Sequence, residues 1–192
     1  MKKNRIRWMT VTAMLGALAA VLMFFSFKVP FVPSFLSMDF SELPALLAAF
    51  AVDPWSGIAV CLIKNVINVF TSNSAGVGEL SNFLLGLALV IPAGCIYHRK
   101  QNRTGAIIGC AVGAVCMAVC SLPVNYYMIF PVYTKFMPLD KIIELYQALR
   151  PDVNGLWDAL LWFNLPFTFV KAALCGLIVF FIYKPLTPIL CS

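Results

Sequence analysis

Charge is what this sequence has least of. Only 11% of its 192 residues are Asp, Glu, Lys or Arg, and 61% are hydrophobic, whereas a soluble domain carries roughly 25% charged residues. A soluble globular chain is thereby excluded. Histidine is reduced to one residue, His98, and there is no HExxH, no CxxC and no Cys/His cluster, so no metal site is expected. No GxxxxGK[ST] loop is present either, and without one the chain has no phosphate cradle for a nucleotide. No chain of carboxylates runs through an apolar segment, which sets aside a proton relay. The seven cysteines (61, 95, 110, 116, 120, 175, 191) lie in or beside apolar runs. Cys116 and Cys120 share a helix face, and small apolar residues packing between helices explain them better than a disulfide or a ligand pair. The net charge of +6 sits in short basic clusters at the ends of apolar runs, with no interleaved aromatics. These are topogenic signals rather than a nucleic-acid surface, and no nucleic-acid partner is expected.

What the sequence does have is long hydrocarbon. Six spans are predicted, at about 8–27, 42–52, 55–70, 79–97, 104–133 and 157–183, making the fold all-α: a six-transmembrane-helix bundle in one membrane domain over residues 1–192. Residues 1–7 imitate the basic start of a signal peptide, but the apolar run continues to Phe27 without a convincing cleavage site and is read as a retained first span. Lys28, Pro30 and Pro33 break that helix, and Asp53-Pro54 ends the short second one. Residues 71–78 form a turn, Lys184-Pro185 closes span 6, and a short interfacial helix is expected around 139–149. Lys2, Lys3, Arg5 and Arg7, then Arg99, Lys100 and Arg103, then Lys184 all fall on one side. The positive-inside rule makes that side the cytoplasm, with both termini on it, in a multi-pass plasma-membrane protein set in the lipid bilayer.

Polar residues interrupt the hydrocarbon on the other side. Lys64, Asn65 and Asn68 lie in the outer half of span 3, with 64 and 68 on one face. Glu79 and Asn82 fall in the first outer turn of span 4, and Asn125 late in span 5. Asn164, Thr168 and Lys171 lie about 10 to 20 Å into span 6 at 1.5 Å per residue, with Trp157, Trp162, Phe163 and Phe167 nearby. Each has a plain reading: the amides bond neighbouring helices, Lys64 snorkels or pairs with Glu79, Glu79 serves the helix dipole, and Trp157 anchors at the interface. The clustering has a second one. A one-sided set of amides, a lysine and aromatics suits a neutral, flat heteroaromatic ligand. An intramembrane enzyme would need a nucleophile–base pair, and His98 lies at the wrong end. In span 1, Ala13-x-x-x-Ala17 and Gly16-x-x-x-Ala20 are spaced for close helix approach. With no nucleotide loop of its own, the chain would need a partner for active transport, and Ala13, Gly16, Ala17 and Ala20 are where one would dock.

Four segments carry a family resemblance. Met38-Asp-Phe-Ser-Glu-Leu-Pro-Ala-Leu-Leu47, Leu62-Ile-Lys-Asn-Val-Ile-Asn68, Gly78-Glu-Leu-Ser-Asn-Phe83 and Pro166-Phe-Thr-Phe-Val-Lys171 resemble, in order, the riboflavin-specific S components of energy-coupling factor (ECF) transporters. The resemblance implies a six-helix protein that captures riboflavin from outside as a transported ligand, not a cofactor. It implies docking through small residues of helix 1 onto a transmembrane scaffold subunit carrying two ATPase subunits. The first loop would act as a lid, here with Phe31, Phe35, Met38, Asp39 and Phe40. Contacts to the ligand carry over to Glu79, Asn82 and Lys171, joined from the residue reading by Lys64, Asn68, Asn125, Asn164 and Thr168. The chain departs from the family at Thr168, where Asn is frequent, and Asn164 lies one turn away. An S component for another small vitamin is the alternative within the class.

Overall fold

The structure is a computed structural model that describes residues 2–29, 37–71, 76–135, 138–153 and 155–191, without the side chains of residues 2–5, 7 and 184–191. Helix α1 (Lys2–Phe24) ends three residues before the predicted limit, because Phe27–Lys28 (β1) pairs antiparallel with Ser37–Met38 (β2). This one short ladder satisfies backbone groups that the helix would otherwise have held. Helix α2 (Glu42–Ala51) stops ahead of Pro54, which disfavours helical geometry in the preceding residue. Asp53 then caps α3 (Pro54–Val69), accepting from the Ser56 amide at 2.6 Å, with Pro54 in the first turn. Gly76, at φ +83°, leads into α4 (Val77–Arg99). Asn102 caps α5 (Arg103–Tyr133), accepting from the Gly105 amide at 2.7 Å. The interfacial helix α6 is Leu139–Gln147. The consecutive stretches Leu156–Ala159, Leu160–Asn164 and Leu165–Cys191 form α7. Lys184-Pro185 does not close that helix; its backbone stays helical to Cys191.

Six of these helices make the bundle, but they are not six equal spans. Among the described residues, only α4, α5 and α7 are long and apolar enough to cross a membrane alone. Helix α3 has 16 residues, about 24 Å of rise, and α2 has 10, about 15 Å, half of the ~30 Å hydrocarbon layer. The outer helices pack in the order α1, α3, α4, α5, α7, and α2 is enclosed by α1, α3, α4 and α7. Its residues from Ala45 to Ala51 are all buried. The tightest approach is between α4 and α5. A Cβ at Gly109 would lie 2.7 Å from the Ala93 carbonyl, and one at Gly113 2.5 Å from that of Leu89, so glycine is what lets these backbones meet.

The basic end of the bundle is closed. Phe50 stacks on Tyr97 at 4.5 Å, and Tyr183 packs edge-on to both. His98 Nε2 lies 2.9 Å from the Ala49 carbonyl, and Trp8 donates to Asp53 at 3.0 Å. A second apolar cluster, with Phe130, Ile142, Tyr146, Val153, Ala159 and Leu160 at its centre, fastens α6 across the opposite ends of α5 and α7.

Candidate functional site

A short central helix leaves space above its start. At that end lies a cavity of about 290 Å³, near the lower bound of the roughly 300–1,000 Å³ usual for small-molecule sites. Asp39, Asn68, Asn82, Asn125, Asn164, Thr168 and Lys171 line it, and Met23, Leu85, Met117, Phe130, Tyr133 and Phe167 supply apolar and aromatic wall. Seven polar side chains predicted from sequence thus come from five elements to one hollow. Phe130 and Tyr133 are wall residues that the sequence reading did not single out.

The backbone explains two of these placements. Residues Asn125–Ile129 and Leu160–Asn164 are π-helical, and each stretch is followed two residues later by a proline, Pro131 and Pro166. Proline has no N–H for the carbonyl four residues back, and its ring presses on that carbonyl. Widening the turn relieves the clash: the Phe130 amide donates to Asn125 and the Leu165 amide to Leu160, five residues back. Asn125 opens one wide turn and Asn164 closes the other, and both face the cavity. In the sequence each turn is marked only by an asparagine upstream of a proline, Asn125 before Pro131 and Asn164 before Pro166.

Each amide uses one half of itself on the protein. Asn125 donates to the Ser121 carbonyl at 2.7 Å and Asn68 to that of Lys64 at 2.8 Å. A backbone carbonyl only accepts, so both side chains keep their oxygen for other partners. Asn164 is arranged the other way, its Oδ1 accepting from the Tyr146 hydroxyl at 2.9 Å.

Two buried ion pairs stand beside and beneath the cavity. Lys171 donates to Asp39 at 2.8 Å. Lys64 donates to Glu42 at 2.7 Å and to Ser41 Oγ at 2.8 Å, and Ser41 in turn donates to Asp39. Lys64 and Glu42 are both 0% exposed. The predicted partner of Lys64, Glu79, is therefore replaced by Glu42: Lys64 points inward to the first turn of α2 and neither snorkels nor lines the cavity. Burial alone would raise the carboxyl of Asp39, on the connection ahead of α2. The ammonium of Lys171, then that of Lys64, outweigh burial and hold it well below the usual carboxylate range.

Other predicted residues stand apart. Glu79 is half-buried in the first turn of α4, outside the lining. Met38 is buried beside Asp39, and Phe40 packs on the core, with the Phe27 ring 6.1 Å away. Phe31 and Phe35 lie outside the described residues. Trp157 stacks on Tyr126 and Trp162 lies under Arg150, both on the outside. Of the four predicted docking residues, Ala13 and Ala17 are exposed. Gly16 and Ala20 are buried, and a Cβ at Gly16 would meet Ile63 at 2.8 Å. At 100° per residue the boundary of the helix face falls between the two motifs, so the second serves the bundle's own packing.

A larger hollow of about 380 Å³ lies between α5 and α7, edged by Ile107, Cys110, Phe169 and Phe180. Among the described residues its lining has no charged or amide group, so the polar cavity is the candidate site.

Comparison with known proteins gives a consistent result. The family "ECF transporter, substrate-specific component" matches residues 7–183. The chain is similar to the riboflavin transporter RibU of Staphylococcus aureus (strain TCH60), 32% identical over 97% of this chain and 92% of that protein. It is similar to the riboflavin transporter FmnP of Bacillus subtilis (strain 168), 30% identical over 96% and 94%. A solved structure described as the S component of a bacterial ECF transporter superposes with a TM-score of 0.77, at 28% identity, covering 98% of this chain and 99% of the other.

Proposed function

The chain belongs to the substrate-specific components of ECF transporters, and from that premise we propose that it is the riboflavin-capturing S component of a vitamin importer. It is a membrane protein and a transporter subunit, not an enzyme, and riboflavin is its cargo rather than a cofactor. The observation that carries the reading is the cavity: amides with opposite free halves, a lysine and an aromatic wall in one partly open hollow. A flavin ring has a flat apolar body and a uracil-like edge of alternating acceptors and donors, and its ribityl chain offers hydroxyls. Amides answer the edge, aromatics the body.

The residues meeting the ligand on this reading are Asn68, Asn82, Asn125, Asn164, Thr168 and Lys171, with Asp39 arriving from the first loop. Lys64 supports them from beneath, and Glu79 borders the entrance. The protein forms one membrane domain in the plasma membrane, with its basic end cytoplasmic and the cavity facing outside. It works with an ECF module, of one transmembrane scaffold and two ATPase subunits, that meets the exposed Ala13–Ala17 face of α1. Ala17→Trp is expected to leave riboflavin binding intact and abolish uptake; normal uptake would remove that face.

Absorbance and riboflavin fluorescence of detergent-purified protein test the substrate. Saturable quenching near one flavin per chain is the expected result. A folded sample that neither carries nor quenches riboflavin would overturn the reading and redirect the search to other small vitamins.

A further inference from the structure

The two π-turn asparagines are held in opposite senses, and the residue that sets one of them lies outside the bundle's spans. Tyr146 is on α6, is 0% exposed, and donates its hydroxyl to Asn164 Oδ1 at 2.9 Å. Its ring packs on Phe163 at 5.3 Å and belongs to the cluster that fastens α6 to α5 and α7. Asn164 is itself 2% exposed and lines the cavity, and its amino group has no partner among the described residues. Asn125 is fixed the other way by the Ser121 carbonyl, and its oxygen has no partner among the described residues.

We propose that Tyr146 is a positioning residue for substrate selection: by occupying the Asn164 oxygen it commits the Asn164 amino group to the cavity, opposite in sense to Asn125. Two such amides recognise a ring edge that carries a hydrogen-bond acceptor and a donor, as an imide does. A freely rotating amide would accept either sense and discriminate less, because a buried donor or acceptor left unmatched is what penalises the wrong ligand. Tyr146 has no place in the cavity lining, so it acts only through Asn164. The proposal rests on the riboflavin reading above, whose imide edge supplies both functions.

The test compares riboflavin with 2-thioriboflavin and 4-thioriboflavin, each with one carbonyl oxygen replaced by the weaker acceptor sulfur, by displacement of bound riboflavin from purified full-length protein. In the wild type, one of the two thio compounds is expected to bind about tenfold more weakly than riboflavin. Tyr146→Phe keeps the buried ring and removes the hydroxyl. Riboflavin binding should fall about tenfold while the gap to that thio compound narrows to roughly threefold or less. A merely structural role for Tyr146 would lower stability and leave the gap alone, so an unchanged gap in folded Tyr146→Phe overturns the proposal. Asn164→Asp decides independently, and also if Tyr146→Phe does not fold. It keeps the acceptor for Tyr146 but turns a carboxylate oxygen to the ligand, and should cost more than about 100-fold; binding within about threefold of wild type would overturn the proposal. If the wild type binds no riboflavin at all, the functional reading has failed and this inference falls with it. Wild-type binding with an unchanged gap overturns the inference alone.

Discussion

The two ends of this bundle use polar residues in opposite ways. At the basic end, the described polar contacts serve helix ends: Asp53 caps α3 and holds Trp8, and His98 meets the Ala49 carbonyl near the end of α2. Phe50 stacked on Tyr97, with Tyr183 edge-on to both, fills the space between. At the other end, polar groups are only half used, and the unused halves converge on a hollow. The difference follows from the length of α2. Ten residues reach about half the thickness of the hydrocarbon, so one half of the bundle has a central helix to fill it and the other has a loop, two ion pairs and a cavity. Non-helical backbone at membrane depth is tolerated only inside protein or beside water, and buried Asp39 and Ser41 on that loop meet the condition.

The largest expected effect separates the two ion pairs within the hollow end. Lys64→Met removes a fully buried ammonium and strands Glu42, whose second oxygen already lacks a hydrogen-bond partner. Breaking such a pair costs about 3–5 kcal/mol, to be read as a large drop in thermal stability in detergent. Riboflavin affinity of the surviving folded fraction should stay within roughly threefold, since Lys64 does not line the cavity. Glu42→Gln added to Lys64→Met should return most of the stability, because neither charge then remains buried alone. An affinity loss matching that of a lining residue would make Lys64 part of the site after all.

Lys171→Met comes next, and its larger effect is on binding. The ammonium lines the cavity while paired with Asp39, so its loss removes a charged donor and loosens the first loop. A loss of about 10- to 100-fold in riboflavin affinity is expected, measured by quenching. The pair also fixes a pH response. Asp39 is held below its unfolded value, so its stabilisation is complete above the unfolded carboxylate range and is lost only as pH falls through the lower folded value. Binding should therefore be flat from about pH 5 to 8 as far as this pair is concerned; a fall within that window in wild type that is absent from Lys171→Met would show the pair titrating there.

Much of this asymmetry was legible in the sequence, and what escaped has physical reasons. Basic clusters and interruptions in the hydrocarbon placed Asn68, Asn82, Asn125, Asn164, Thr168 and Lys171 at one end, because hydropathy and helical rise are one-dimensional properties. The partner of Lys64 was not legible. Glu42 and Glu79 lie 22 and 15 positions away, and only the burial of α2 by four neighbours chooses between them. Gly16 and Ala20 have the same spacing as Ala13 and Ala17, and which pair faces inward depends on the angle at which α1 meets α3. Tyr146 read only as part of an interfacial helix; its bond to Asn164 joins residues 18 apart through a fold-back. Hydropathy marks the short run at 42–52 as apolar without stating that four helices surround it.

The smallest effect is expected at the closed end, where it sharpens the contrast. His98→Ala removes one hydrogen-bonding contact to the Ala49 carbonyl, worth about 1 kcal/mol, and trims a ring packed edge-on against Tyr97. Because polar groups there serve helix ends rather than a ligand, thermal stability should drop slightly while riboflavin affinity and its pH dependence stay unchanged. The informative outcome is the opposite one. If His98→Ala weakens riboflavin binding as much as a cavity variant does, the two ends are coupled through α2, which touches His98 at Ala49 and reaches the ion-pair network at Glu42. The short helix would then transmit strain between the ends as well as make room for the ligand.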